Sequence, residues 1–115
     1  MKTIQLEVNG IQARLVVRAA TVGDQLRRDM LISKALDHPL EDEIGQTVAL
    51  VIYPRCIAVT VDGEINGKSA KIVTVEEFLE LPAEIGEAWL STVLELNPAW
   101  RPGYSASEVE AEKKG

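Results

Sequence analysis

Asn9-Gly10 is the feature that most constrains this chain. That dipeptide favours a two-residue type I′ turn, whose two positions both need positive φ. Placing Asn9 and Gly10 in the turn fixes the register of everything around it. Val8 then faces Ile11, Leu6 faces Ala13 and Ile4 faces Leu15, and every pair is apolar. The other face pairs Glu7 with Gln12, Gln5 with Arg14 and Thr3 with Val16, and is mostly polar. A slip of one residue would exchange the faces, so the pattern specifies a hairpin over residues 3–18 in one register. A lone hairpin is marginal in water, and its apolar face must cover something else.

Beyond the hairpin the chain reads as helix. Thr21 can cap a helix over residues 22–36, and Asp24 sits at the capping-box position. Val22, Leu26 and Met30 form one stripe, while Leu31 and Ala35 project from the opposite side, so this helix is expected to touch two surfaces. Glu41, Asp42 and Glu43 mark an acidic start for a helix over residues 41–59, kinked at Pro54 and apolar nearly all round. The β-branched residues between 47 and 61 leave a strand as the rival there. Asp62-Gly63 and Asn66-Gly67 indicate a loop or a second small hairpin. Thr74 and Glu77 form a capping box for a short helix over residues 75–81. Pro82 suits the first turn of a last helix, 82–96, stopped by Asn97-Pro98. Ile85, Trp89, Val93 and Leu96 share one of its faces, with Leu90 and Leu94 beside it. The expected fold is mainly α with α+β character: an N-terminal β-hairpin and a small bundle of about four helices. One domain spans 1–98, and a flexible tail spans 99–115.

Charge is unevenly spread. Residues 1–36 carry six basic and three acidic side chains, whereas residues 72–100 carry six Glu and no Lys or Arg. The formal charge of −6 and pI near 4.8 argue against nucleic acid, whose binding rests on cations neutralising phosphates. The apolar-rich stretch 48–61 is too short for a bilayer span and contains Pro54 and Arg55. The first five residues turn polar at once, unlike a signal peptide, and a single cysteine makes no internal disulfide. Together these features predict a cytoplasmic chain without a membrane segment.

Chemical motifs do not assemble. The stretch from Gly63 to Ser69 resembles a phosphate loop but has three residues between the first Gly and Gly-Lys-Ser, where four are needed. Zinc ligation is not expected from one His and one Cys, His38 and Cys56. A nucleophilic pair of those two would place Cys56 inside an apolar run, where a small buried hydrophobe is the simpler reading. Glu76 and Glu80 imitate an acid–base dyad but read as a solvated helix face. No catalytic residue, metal or cofactor is therefore assigned. Trp100 and Tyr104 lie beyond the last helix, where they either fold back or offer a docking segment.

The order of elements now supports a comparison. The hairpin, the run from Arg18 to Asp24, the run from Val73 to Pro82 and the run from Trp89 to Pro98 together resemble the tail assembly chaperones of long-tailed bacteriophages and prophages. The resemblance covers residues 3–98. It implies a non-catalytic cytoplasmic protein of the bacterial host that coats the tape measure protein, recruits tail tube subunits and is absent from the finished virion. It also implies a longer form made by ribosomal frameshifting, for which the codons of Lys113 and Lys114 are the place to look. Two other classes stand beside it: a structural tail component retained in the particle, and, more remotely, a small enzyme. For a partner-binding protein the candidate contacts are Trp89, Leu90 and Val93 on the last helix, Leu31 and Ala35 on the first, and Trp100, with core as the other reading of Trp89. Self-association is expected through the hairpin's free edge or the first helix.

Overall fold

A computed structural model describes residues 1–101. The hairpin forms in the register set by its turn: β1 (Lys2–Val8) pairs antiparallel with β2 (Ile11–Val17), and Val8 faces Ile11, Leu6 faces Ala13 and Ile4 faces Leu15. Asn9 and Gly10 hold φ of 52° and 82°. Both residues thus occupy the left-handed region a type I′ turn requires.

The sheet is larger than a hairpin. Its strand order is β1-β2-β3-β4, all antiparallel, with β3 spanning Thr60–Ile65 and β4 Lys68–Ser69. The α+β character holds, and of the two readings for residues 62–67 the second small hairpin forms; it joins the first in one four-stranded sheet covered by helices. Asp62-Gly63 is a strand interior rather than a loop. The β2–β3 register shifts between Val16 and Val17, which face Asp62 and Thr60 and leave Val61 without a partner; Gly63, paired with Leu15, adopts φ +123°. A Cβ at Gly63 would lie 2.0 Å from the Arg14 carbonyl oxygen. Only glycine allows the two backbones to approach so closely where Gly63 pairs with Leu15. Asn66 and Gly67 repeat the type I′ geometry, with φ of 49° and 82°, and turn β3 into β4.

The helix α1 (Val22–Asp37) opens on the expected capping box, with Thr21 Oγ1 accepting from the Asp24 N–H and Asp24 Oδ2 from the Thr21 N–H. The segment expected as one helix over 41–59 begins two residues later and changes its winding. α2 (Glu43–Thr47) is capped by Asp42, Val48–Ile52 is π-helical, and α3 spans Tyr53–Val59. Pro54 causes the change because it has no N–H for the preceding turn. The ladder widens so that the Tyr53 N–H reaches the Val48 carbonyl, and Arg55 Nη1 donates to the Val51 carbonyl at 2.7 Å. The stretch 47–61 is thus helix up to Val59 and strand from Thr60.

α4 (Val75–Leu79) carries the Thr74–Glu77 capping box, and α5 (Ala83–Leu96) follows with Pro82 at its N-cap. α5 packs against β1, β2 and α3, while α1 packs on α3 and the π segment. The core lies between these layers. Ile85, Trp89 and Val93 of α5 are fully buried there with Leu15, Val17 and Val59. Trp89 Nε1 donates to Thr60 Oγ1 at 2.8 Å, and the Thr60 hydroxyl donates to the Cys56 carbonyl at 2.6 Å. That relay ties α5, β3 and α3 together through buried polar atoms, each with a partner.

The chain folds back after α5. Pro98–Trp100 forms a 3-10 turn, and Trp100 is buried with the Arg28 guanidinium 4.7 Å from its ring centroid. Of the two alternatives for Trp100, the structure has the fold-back, which carries the domain past the boundary expected at residue 98. Tyr104, Lys113 and Lys114 lie outside the described residues.

Candidate interaction surfaces

The roll of α1 decides which of its stripes meets solvent. Asp24 is 1% exposed and receives two hydrogen bonds from Arg18, Nε and Nη2 each at 2.8 Å. Those bonds, with the Thr21 N–H, hold the Asp24 carboxyl below its ordinary pKa against the opposing effect of burial. The Arg18 N–H is fixed in turn on the Val59 carbonyl. Asn97 clamps the same junction from the end of α5, its Oδ1 accepting from the Ala20 N–H at 2.7 Å and its Nδ2 donating to the Arg18 carbonyl. These contacts set the start of α1 at one angle. Leu31 is turned against the core, while Val22, Leu26 and Met30 remain 80%, 59% and 71% exposed. Two contact surfaces were expected for this helix; the protein itself covers one, and the stripe is left bare.

Beside that helix, Leu31 and Ala35 line a groove of about 290 Å³ with Leu40 and Tyr53, rimmed by Lys34, His38 and Glu76. Burial pushes the Tyr53 phenol up, reinforced by Glu76 and Glu77, and its hydroxyl donates to the Val73 carbonyl. The phenol is thus a neutral donor fixed inward, and apolar contact is what this groove offers.

A second groove, about 340 Å³, lies between the π segment and α5. Val48 and Ile52 form one wall, Phe78 and Leu79 the floor, and Gly86 and Leu90 the other wall. Phe78 is held in place by an edge-on contact with Tyr53 and a tilted contact with Trp89, with centroids 5.8 and 5.4 Å away.

The residues singled out from sequence separate accordingly. Leu31, Ala35 and Leu90 line grooves. Trp89 and Val93 are 0% exposed, so the surface expected around them is corrected: they are core, because α5 turns its Ile85–Trp89–Val93 face onto the sheet. Trp100 is covered by Arg28, and its carbonyl accepts from Arg55 Nε at 2.8 Å. Its neighbouring guanidinium, Arg55, is held below its ordinary pKa by burial and then by Arg28. Sequence reasoning missed the outward direction of Val22, Leu26 and Met30, and missed the facing walls to which Val48 and Ile52 on one side and Gly86 on the other belong. The signal for the second was the absence of any Lys or Arg in residues 35–54 and 72–100.

Reactive groups are not brought together. Cys56 is fully buried and burial pushes its thiol up, while His38 is exposed beyond the end of α1. A protonated, enclosed thiol is a poor nucleophile. The stretch Gly63–Ser69 forms strand, turn and strand rather than a loop opening a phosphate-binding helix. Among the described residues no group of three or more His, Cys, Asp or Glu could hold a metal, and no helix is long and apolar enough to cross a membrane. Family models, curated proteins and solved structures contain no match to this chain.

Proposed function

We propose that this chain is a phage tail assembly chaperone, a non-catalytic protein that binds the tape measure protein and tail tube subunits in the host cytoplasm during assembly. The single observation that carries the reading is the bare stripe Val22, Leu26 and Met30 on α1. Covering an exposed aliphatic side chain of this size is worth about 1.5–3 kcal/mol, and three at i, i+4 and i+8 present a continuous apolar line to a partner helix. The fold gains nothing from that line, since the inward side of α1 already meets the core through Leu31. The resemblance carried by the runs 18–24, 73–82 and 89–98 supplies the partner class.

Co-expression with the tape measure protein tests it. A soluble complex is expected, and Leu26→Asp combined with Met30→Asp should abolish it while leaving the circular dichroism spectrum unchanged. A tape measure protein that stays soluble alone and does not co-purify would refute the proposal. Recovery of this chain from purified particles by mass spectrometry would instead favour a structural tail component. Self-association through the same stripe is part of the proposal, and light scattering that shows a strict monomer at high concentration would remove it.

A further inference from the structure

The groove between the π segment and α5 has a chemical character of its own. Its walls come from the two longest cation-free stretches of the described chain, 35–54 and 72–100. Residues 35–54 contain Asp37, Glu41, Asp42 and Glu43, and residues 72–100 contain six Glu. Glu87 lines the groove directly, and Glu80 and Glu84 flank the lining residues Leu79, Leu81 and Ala83. At the far side, Leu79 lies against Gly45 of α2, which brings the acidic start of that helix to the same end. The nearby cation Lys68 is already engaged by both carboxylate oxygens of Glu77. The floor and walls are apolar, and Gly86 leaves open space above α5, with nothing within 4 Å of where a Cβ would stand.

We infer that this groove docks a basic amphipathic segment of a partner protein, its apolar side chains over Gly86 and its Lys or Arg residues against Glu80, Glu84 and Glu87. The inference rests on the chaperone reading for the identity of that partner. It names the surface and chemistry used, separately from the stripe on α1. An apolar slot determines that a nonpolar face enters, and a rim of one sign selects the opposite charge on the entering segment and repels acidic ones.

Fluorescence anisotropy with two labelled helical peptides of identical apolar pattern provides the test, one with Lys and one with Glu at the polar positions. The Lys peptide should bind and the Glu peptide should not, and added salt should weaken the Lys complex. Gly86→Leu fills the slot and also raises helix propensity, so it should melt no lower than the wild type yet weaken the Lys peptide about tenfold or more. Glu80→Gln with Glu84→Gln and Glu87→Gln should weaken it comparably without closing the slot. Equal binding of the two peptides, or full affinity in Gly86→Leu, overturns the inference. Tape measure protein that still co-purifies with Gly86→Leu at wild-type yield overturns it too, while sparing the chaperone reading. A groove that takes the Lys peptide in a chain that never captures the tape measure protein supports the inference and refutes that reading.

Discussion

Replacing Asp24 with Ala should be among the more damaging single changes on the surface-facing side of this protein. The carboxylate is 1% exposed and accepts three hydrogen bonds, two from Arg18 at 2.8 Å and one from the Thr21 N–H at 3.1 Å. A hydrogen bond to a charged group contributes about 1.5–3 kcal/mol, and loss of a capping interaction costs about 1 kcal/mol. Simple addition overshoots, because the Arg18 side chain is 35% exposed and regains water when its partner is removed. About 2–3 kcal/mol is the expected loss, which for a domain near 100 residues lowers Tm by roughly 10–20 °C. Asp24→Asn keeps one acceptor oxygen for the Thr21 N–H but loses the charge and replaces the other oxygen with an NH2 that cannot accept from Arg18, so it should fall between wild type and Ala. Urea unfolding followed by circular dichroism, with unchanged slope, gives all three values. The pH dependence checks the cause. The folded pKa of Asp24 lies below its ordinary 3.8, chiefly through Arg18, so on acidification the unfolded chain takes the proton first. Stability from this group is complete above the unfolded pKa and is lost as pH falls through the folded one. Wild type should therefore lose stability below about pH 4 more steeply than Asp24→Asn. A difference between wild type and Asp24→Ala under about 0.5 kcal/mol, or parallel acid profiles for wild type and Asn, would refute the reasoning.

Gly63→Ala should cost at least about 3 kcal/mol, since it combines a φ of +123° with a Cβ 2.0 Å from the Arg14 carbonyl; a wild-type melting curve would show that β2 and β3 move apart freely there. Thr60→Val strands the Trp89 Nε1–H and should cost about 1–3 kcal/mol, whereas Thr60→Ser should retain most of the stability, both read by chemical denaturation. Cys56 should resist a thiol reagent in the native protein at mildly alkaline pH and react fully in denaturant, because burial raises its pKa; rapid native labelling would refute its enclosure.

Local signals were legible wherever the partners are neighbours in sequence. The Asn9-Gly10 turn and the period-2 pattern on either side determined the register of β1 and β2 residue by residue. Thr21 with Asp24 and Thr74 with Glu77 determined two helix starts, because a capping box closes within one turn. The acidic, cation-free stretches were equally visible, though not that folding would line one groove with both. That Ile85, Trp89 and Val93 share one face of α5 was also legible, since helical spacing alone sets it.

Long-range contact decided the rest. Asn66-Gly67 offered a second small hairpin, but the reach of β3 was hidden because Asp62-Gly63 also looks like a turn, and its strand conformation exists only beside β2, whose Arg14 carbonyl crowds Gly63. Two stripes were readable on α1, but helical periodicity cannot say which faces inward. Arg18, Asp24 and Asn97 make that choice from three separate elements, and they turn Leu31 in and Leu26 out. Trp89 and Val93 could be read as core or as contact surface, and the sheet took them. The sequence by itself determined which segments become helix or hairpin and where charge accumulates, because those depend on spacing along one chain. Only the tertiary structure decided which apolar faces stay bare, because an exposed face is whatever remains after distant segments have covered the others.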